Sequence, residues 1–401
     1  MKKRVIVSVL ITVLLCGCVP DGEEKSGYAY SEDKSAAESA GTSDESGTLD
    51  ESVQLAEGYL EIYNEAAAGD SLDSLETIGR IMEALGESGY PVVDTGNQID
   101  MIHPEVIREF AAAVEKGDAA KTVLLLVTDD GGFVRYDLAA EKGTVQVDRS
   151  RLDWEEGQPC AEKVDSFEAN TWKLDEESGY IYIEKEQPAG YDGPIGYTAI
   201  RVEPLDEKLR ELNRRYILPA GYRHTNLFLT DWDAENYGDL DFYDLFEVFY
   251  SSEYGKAIPY ESDFEKRTYE VPAEEFENVI TEFINIDTET LRSYTFYDSD
   301  SSAYIYYTRC REDWGYPCFV TPEVREYEEM DDGTIRLLVR SVSQKDDPEE
   351  TFSHEVTVRP LSDGGYQYVS NHILSEEEER DLSWYAERMT VREWEEEYGG
   401  A

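Results

Sequence analysis

Up to Gly117 the apolar residues recur at helical spacing, and from Lys121 they alternate with polar ones at a period of two, so this chain must place helices and sheet in one fold. Val53, Ala56, Leu60 and Tyr63 mark a first helix, interrupted by Gly69. Leu72, Leu75, Ile78, Met82 and Leu85 form the stripe of a second, which ends at Gly86. Pro104 opens a third carrying Ile107, Phe110 and Val114, with Gly117 as its stop. The phrases TVLLLVT, FVRYDL and TVQVDR then read as an antiparallel meander, turning first at Asp129-Asp130-Gly131-Gly132. Further strands are expected at 180–184, 197–202 and 226–229. Pro204 opens a helix with Leu205, Leu209, Leu212 and Tyr216 inward, and Phe242, Leu245, Phe246 and Phe249 define another.

A second unit is expected from Asp263. Val271-Pro272 launches a helix bearing Phe276, Val279, Ile280 and Phe283, followed by strands at 303–308, 324–327, 334–342, 351–359 and 365–369. Asp331-Asp332-Gly333, Asp346-Asp347-Pro348 and Asp363-Gly364-Gly365 separate the later strands. Ser375-Glu376-Glu377-Glu378 reads as a capping box for a last helix with Leu382, Tyr385 and Met389. The expected class is α+β: a helical N-terminal part with antiparallel sheet, then a helix plus meander, cystatin-like or cone-like by analogy. The segments are 1–17, 18–50, 51–262, 263–374 and an acidic helix and tail at 375–401.

The first residues, MKKRVIVSVLITVLLCGC, combine a basic start, an apolar run too short to span a membrane comfortably, and a small residue before Cys18. This stretch resembles a bacterial lipoprotein signal peptide. The resemblance implies cleavage between Gly17 and Cys18, a diacylglyceryl group on Cys18 as the membrane contact, and a cell-membrane protein facing outward. Two acyl chains suffice for stable attachment where one is marginal. Val19 to Asp50, rich in Ser, Gly, Ala, Asp and Glu, reads as a flexible acidic tether of root-mean-square span about 30 Å.

A formal charge of -53, from 89 acidic and 36 basic residues, argues against nucleic acid, whose phosphates demand clustered Lys and Arg. Such acidity could also signal disorder, but 40% hydrophobic and 12% aromatic residues supply a core. Cys310 and Cys318 enclose REDWGYP, and a bridge there would contribute about 2.6 kcal/mol in the chain-entropy model; two reduced thiols are the alternative. Cys160 is left over. One Cys pair without a His cluster lacks the four ligands of a zinc site, and no cofactor is expected.

The densest acidic cluster is Asp231, Asp233, Glu235, Asp239, Asp241 and Asp244. Asp231, Asp233 and Glu235 fit the first three ligand places of a calcium loop, but Asn236 replaces the turn glycine and Phe242 the bidentate glutamate, so solvated loops are favoured. A glycosidase needs two carboxylates across a sugar, and among so many acids no pair stands out. No G-x-S-x-G occurs, and His103, His224, His354 and His372 are the only imidazoles. Tyr304, Tyr306, Tyr307, Trp314, Tyr316 and Phe319 could line a shallow surface for sugar or peptide, against the plainer reading that they pack around the Cys310 to Cys318 loop.

The phrases DWDAENYGDLDFYDLFEVFY (231–250), VPAEEFENVI (271–280) and FSHEVTVRPLSDGGYQYVSNHI (352–373) carry a further likeness. Together with the N-terminal cysteine motif they resemble an uncharacterised family of lipoproteins from Gram-positive bacteria, which implies export and folding but no chemistry. The expected function is therefore a membrane-anchored extracellular protein that binds or scaffolds an envelope or environmental ligand without catalysis. A surface hydrolase acting on polysaccharide and a solute-capture lipoprotein are the alternatives.

Overall fold

Val123 to Val127 are five consecutive apolar residues with no polar alternate to face water, and they are buried on both sides of a sheet. The computed structural model describes residues 43–188, 191, 196–262, 267–309, 320–345, 351–375, 382 and 385–389. The signal segment with Cys18, most of the tether, and Cys310, Trp314, Tyr316 and Cys318 lie outside them. Among the described residues no helix is long and apolar enough to cross a membrane. The fold is α+β, in two compact units that divide at Asp206.

The first unit contains α1 (Ser43–Glu57), α2 (Leu60–Ala68), α3 (Leu75–Gly86), β1 (Val92–Asp94), α4 (Pro104–Lys116), β2 (Ala120–Val127), β3 (Phe133–Glu141), β4 (Thr144–Glu155), β5 (Gln158–Glu168), β6 (Thr171–Asp175), β7 (Tyr180–Glu184) and β8 (Tyr197–Arg201). Strands β1 to β5 form one sheet in sequence order, β1 parallel to β2 and the rest antiparallel; β6, β7 and β8 form a second, antiparallel sheet. On one face of the larger sheet, Ile78, Ile81, Met82 and Leu85 of α3 pack with Leu125, Val127, Phe133 and Leu152. On the other, Ile107 and Phe110 of α4 pack with Leu124, Leu126 and Leu138, and with Ile181 and Ile183 of β7. Ser74 caps α3 by accepting from the Thr77 N–H, and α4 runs from Pro104 at its first turn to Gly117, whose φ of 72° suits glycine. Arg149 of β4 grips Asp165 of β5 through two bonds of 2.7 and 2.5 Å, fixing an otherwise polar edge strand.

The second unit contains α5 (Glu207–Leu212), a π-helical turn (Asn213–Ile217), α6 (Phe242–Tyr254), β9 (Thr268–Pro272), α7 (Ala273–Phe283), α8 (Thr288–Tyr294), β10 (Tyr297–Asp298), β11 (Ala303–Tyr307), β12 (Val320–Glu329), β13 (Ile335–Ser343), β14 (Ser353–Pro360) and β15 (Tyr366–Ile373). Strands β12 to β15 form an antiparallel meander, and β10, β11 and β9 form a three-stranded sheet in that order. Aromatic rings dominate the core: Phe249 stacks on Phe283 at 4.5 Å, Phe276 on Tyr304 at 4.2 Å, and Phe246 on Phe276 at 4.8 Å. These contacts join α6 to α7, which is why the division falls at Asp206 and not near Asp263. Residues 226–229, expected as a strand, form turns instead, because the Asn226 side chain donates to the Asp239 carbonyl at 2.7 Å and accepts from the Asp241 N–H at 3.0 Å. Leu382 and residues 385–389, expected in a helix, lie in irregular backbone.

Candidate functional site

Asp241, Asp244 and Glu247 recur every third residue at the start of α6, so helix geometry brings three like charges to one face. Asp241 is the N-cap, accepting from the Tyr243 and Asp244 N–H groups, each at 2.9 Å. Two arginines from distant parts of the sequence answer this repulsion. Arg309, just beyond β11, holds Asp244 with bonds of 2.9 and 2.8 Å and donates to the Ala386 carbonyl at 2.7 Å. Arg388 donates to Asp244, to Glu247 at 3.1 Å and to the Tyr307 carbonyl, and its Nε lies 3.4 Å from an Asp241 oxygen. Tyr385 donates to Asp244 at 3.2 Å. Side-chain exposure is 0% for Asp244, 2% for Arg309 and 5% for Arg388.

Such burial is tolerated only because the charges meet one another. Among the described residues three carboxyls face two guanidiniums, however, and burial shows in their acidities. Burial and the neighbouring Asp244 charge push Asp241 up to about 6. Burial also raises Glu247. Burial opposes ionisation of Asp244, yet Arg388 and Arg309 hold it below the usual carboxylate range. Burial, then Arg223, lowers His224 to about 4, leaving it neutral.

Arg388 also lines a pocket of about 350 Å³, whose other described walls are Tyr243 of α6, residues 293–296 at the α8–β10 connection, residues 305–307 of β11, and Met389. Tyr243 and Tyr306 stack at 4.5 Å, and the Arg388 guanidinium sits 5.2 Å over the Tyr306 ring. The Tyr306 hydroxyl is buried and has no hydrogen-bond partner among the described residues. The Tyr243 hydroxyl accepts from the Phe296 N–H at 2.6 Å, which leaves its own hydrogen to donate. Phe296, 51% exposed, and Tyr294, 40% exposed, stand at the mouth.

Among the described residues no carboxylate lines this pocket. The acidities of Asp241 and Asp244 are driven apart as in an acid–base pair, but both side chains lie behind the Arg388 wall. Of the aromatic candidates, Tyr306 and Tyr307 line the pocket. Tyr304 is fully buried, its hydroxyl donating to Glu277 at 2.9 Å. Asp231 accepts from His372 Nδ1 at 2.9 Å and from the Ile373 N–H at 2.7 Å. Asp233 accepts from the Glu235 and Asn236 N–H groups in a tight turn. The structure thus separates the acidic cluster of the sequence into this turn and the buried Asp241–Asp244 pair. Among the described residues no group of three His, Cys, Asp or Glu is arranged to hold a metal ion. Tyr243, Tyr294, Phe296 and Arg388 escaped sequence reasoning, since only the fold brings them together.

A family model described as a family of unknown function (DUF6070) matches residues 45–388. No curated protein and no solved structure matches the chain.

Proposed function

We propose that this chain, which belongs to that family of unknown function, is a membrane-anchored extracellular lipoprotein that binds a ligand without transforming it. The ligand is an uncharged ring compound of the saccharide class, held in the pocket walled by Tyr243, Tyr294, Phe296 and Tyr306. The supporting observation is a pocket with two exposed aromatic side chains, Tyr294 and Phe296, one phenol hydrogen left to donate on Tyr243 and, among the described residues, no facing carboxylate. Aromatic faces stack on the apolar face of a sugar ring, and the Tyr243 hydroxyl meets one of its oxygens. The charge of Arg388 is already consumed by three carboxyls, so it recruits no anion, while its presence in the wall disfavours a cation.

Saturation-transfer NMR with neutral mono- and disaccharides, beside their acidic analogues, tests this reading. Binding is expected for neutral sugars and should weaken by about tenfold in Phe296→Ala, the scale of one lost aromatic stack. Cleavage of a polysaccharide that survives Phe296→Ala would favour the hydrolase instead.

Anchoring has its own test. In a bacterial host, Cys18→Ala should accumulate as the full-length, unlipidated precursor, because the modified thiol is what the processing peptidase would recognise. Normal cleavage with detergent-phase partitioning of this variant would defeat the lipoprotein assignment.

A further inference from the structure

We propose that the pocket is the inner end of a longer site, in which the exposed Tyr294 ring and the side-chain amide of Asn236 form an outer subsite for a second sugar ring. The ligand is then a neutral oligosaccharide of at least two linked units. This deepens the reading of the pocket as a saccharide site and rests on it.

Tyr294 belongs to both places. Its side chain lines the pocket, while its hydroxyl lies 3.4 Å from the Asn236 side-chain oxygen and accepts from the Tyr237 N–H at 3.4 Å. Tyr237 and Phe242 meet the Tyr294 ring edge-to-face at centroid distances of 5.7 and 6.0 Å, which fixes it in place, yet the residue remains 40% exposed. A ring linked to one in the pocket therefore has an aromatic surface to lie on.

The amide of Asn236 is aimed by its own turn. Its oxygen accepts from the Gly238 N–H at 3.1 Å and faces the Tyr294 hydroxyl, so the nitrogen is the other end of the group. Asn236 is exposed, and among the described residues that NH2 group donates to nothing. Asp233 and Asn236 exchange backbone bonds of 2.9 and 3.2 Å, and the Asp233 carboxylate accepts from the Glu235 and Asn236 N–H groups. Gly238 has a φ of 55°, and a Cβ there would sit 2.7 Å from the Asp231 carbonyl oxygen, so only glycine closes the turn. A reciprocal backbone pair between Trp232 and Asn371, at 3.0 and 2.9 Å, ties the turn to β15. Asp233, a cation ligand by its spacing, thus commits its carboxylate to the shape of a turn that presents an amide donor. A donor held in place beforehand loses little freedom on binding, and it selects an oxygen acceptor on the outer ring.

Calorimetric titration of the full chain with glucose, cellobiose and cellotriose, and with N-acetylglucosamine and diacetylchitobiose, tests the proposal. In the series that binds, affinity is expected to rise about tenfold from monomer to dimer, the scale of one aromatic stack and one hydrogen bond. Asn236→Ala should cut the dimer-to-monomer affinity ratio about fivefold, the scale of the lost hydrogen bond, whereas Phe296→Ala should weaken both sugars and keep the ratio. The Asn236 side-chain amide signals in a proton–nitrogen correlation spectrum of the unaltered chain should move with dimer and not with monomer, a response that a merely structural asparagine would not give. Equal affinity for monomer and dimer, or a dimer that leaves those amide signals in place, overturns the outer subsite while the pocket assignment stands. Failure of every one of these sugars to bind would sink the pocket assignment and the subsite with it.

Discussion

Asp244→Ala is expected to destabilise the second unit by about 3–5 kcal/mol, the scale for removing one partner from a buried ion pair. Asp244 is fully buried and receives both Arg309 and Arg388; its loss leaves Arg309, 2% exposed, with Asp241 no nearer than 3.9 Å, while Arg388 keeps Glu247 and Asp241. Deleting α6's central carboxyl therefore costs far more than the net strength of the pairs it makes. The exposed pair Arg292–Glu277, at 2.7 Å, provides the contrast: Arg292→Ala should cost no more than about 1 kcal/mol, because its arginine remains 39% exposed. Hydrogen exchange at the Val356 and Val358 amides of β14, deep in the same core, reads the stability of the unit without requiring the whole chain to unfold at once. A loss below about 1 kcal/mol for Asp244→Ala would mean that the two arginines find water or new partners, and that the cluster does not hold the unit together.

The legible parts of this fold were those with a local period and a local stop. Helix α4 shows both, with Pro104 at its start and Gly117 at its end. So do β14 and β15, separated by a turn at Asp363 and Gly364. Strand β5 was missed because QPCAEKVDSFE lies at a sheet edge, where few side chains are buried and little hydrophobic pattern is imposed. Strand β1 was missed because three residues carry no measurable period. Of the last helix, expected from Leu382, Tyr385 and Met389, only Leu382 and residues 385–389 are described beyond Ser375, and there Arg388 answers three distant carboxyls that its own neighbours do not announce. The site failed in the same manner. Asp241 and Asp244 were visible as acids, but whether an aspartate faces water or an arginine depends on residues far along the chain, and no spacing rule reaches from α6 to Arg388.

Between pH 6.5 and pH 4 Asp241→Asn should lose about 3 kcal/mol more of the second unit's stability than the unaltered chain does, because buried groups there titrate in opposite senses. The first group is His354, which is 0% exposed, with Nδ1 2.7 Å from the Asn371 carbonyl oxygen, Nε2 2.9 Å from the Tyr222 hydroxyl and its ring stacked on Phe228. Asn371 donates its amide to the Thr230 carbonyl at 2.8 Å, so its oxygen faces the imidazole and accepts from Nδ1–H. Nε2 then accepts from Tyr222, and every polar atom of the neutral ring is satisfied without a second proton. Burial lowers His354 from 6.5 to about 4. Its contribution is present in full above the unfolded value and is lost as the pH falls toward 4, while the unfolded chain takes up the proton that the fold refuses. Asp241 runs the other way: raised from 3.8 to about 6, it adds stability as the pH falls through 6 and withholds it above. The two spans nearly coincide and are each worth about 3 kcal/mol, so Asp241 offsets about one histidine. His224, also lowered to about 4, sides with His354, and Glu247, raised by burial, sides with Asp241. Removing Asp241's titration steepens the loss in acid, whereas His354→Gln should tilt the profile toward greater stability in acid than the unaltered chain shows. Exchange-derived stability of the β14 amides at pH 6.5, 5.5 and 4.5 would show these slopes, and an Asp241→Asn profile parallel to that of the unaltered chain would mean that Asp241 does not titrate as its burial requires.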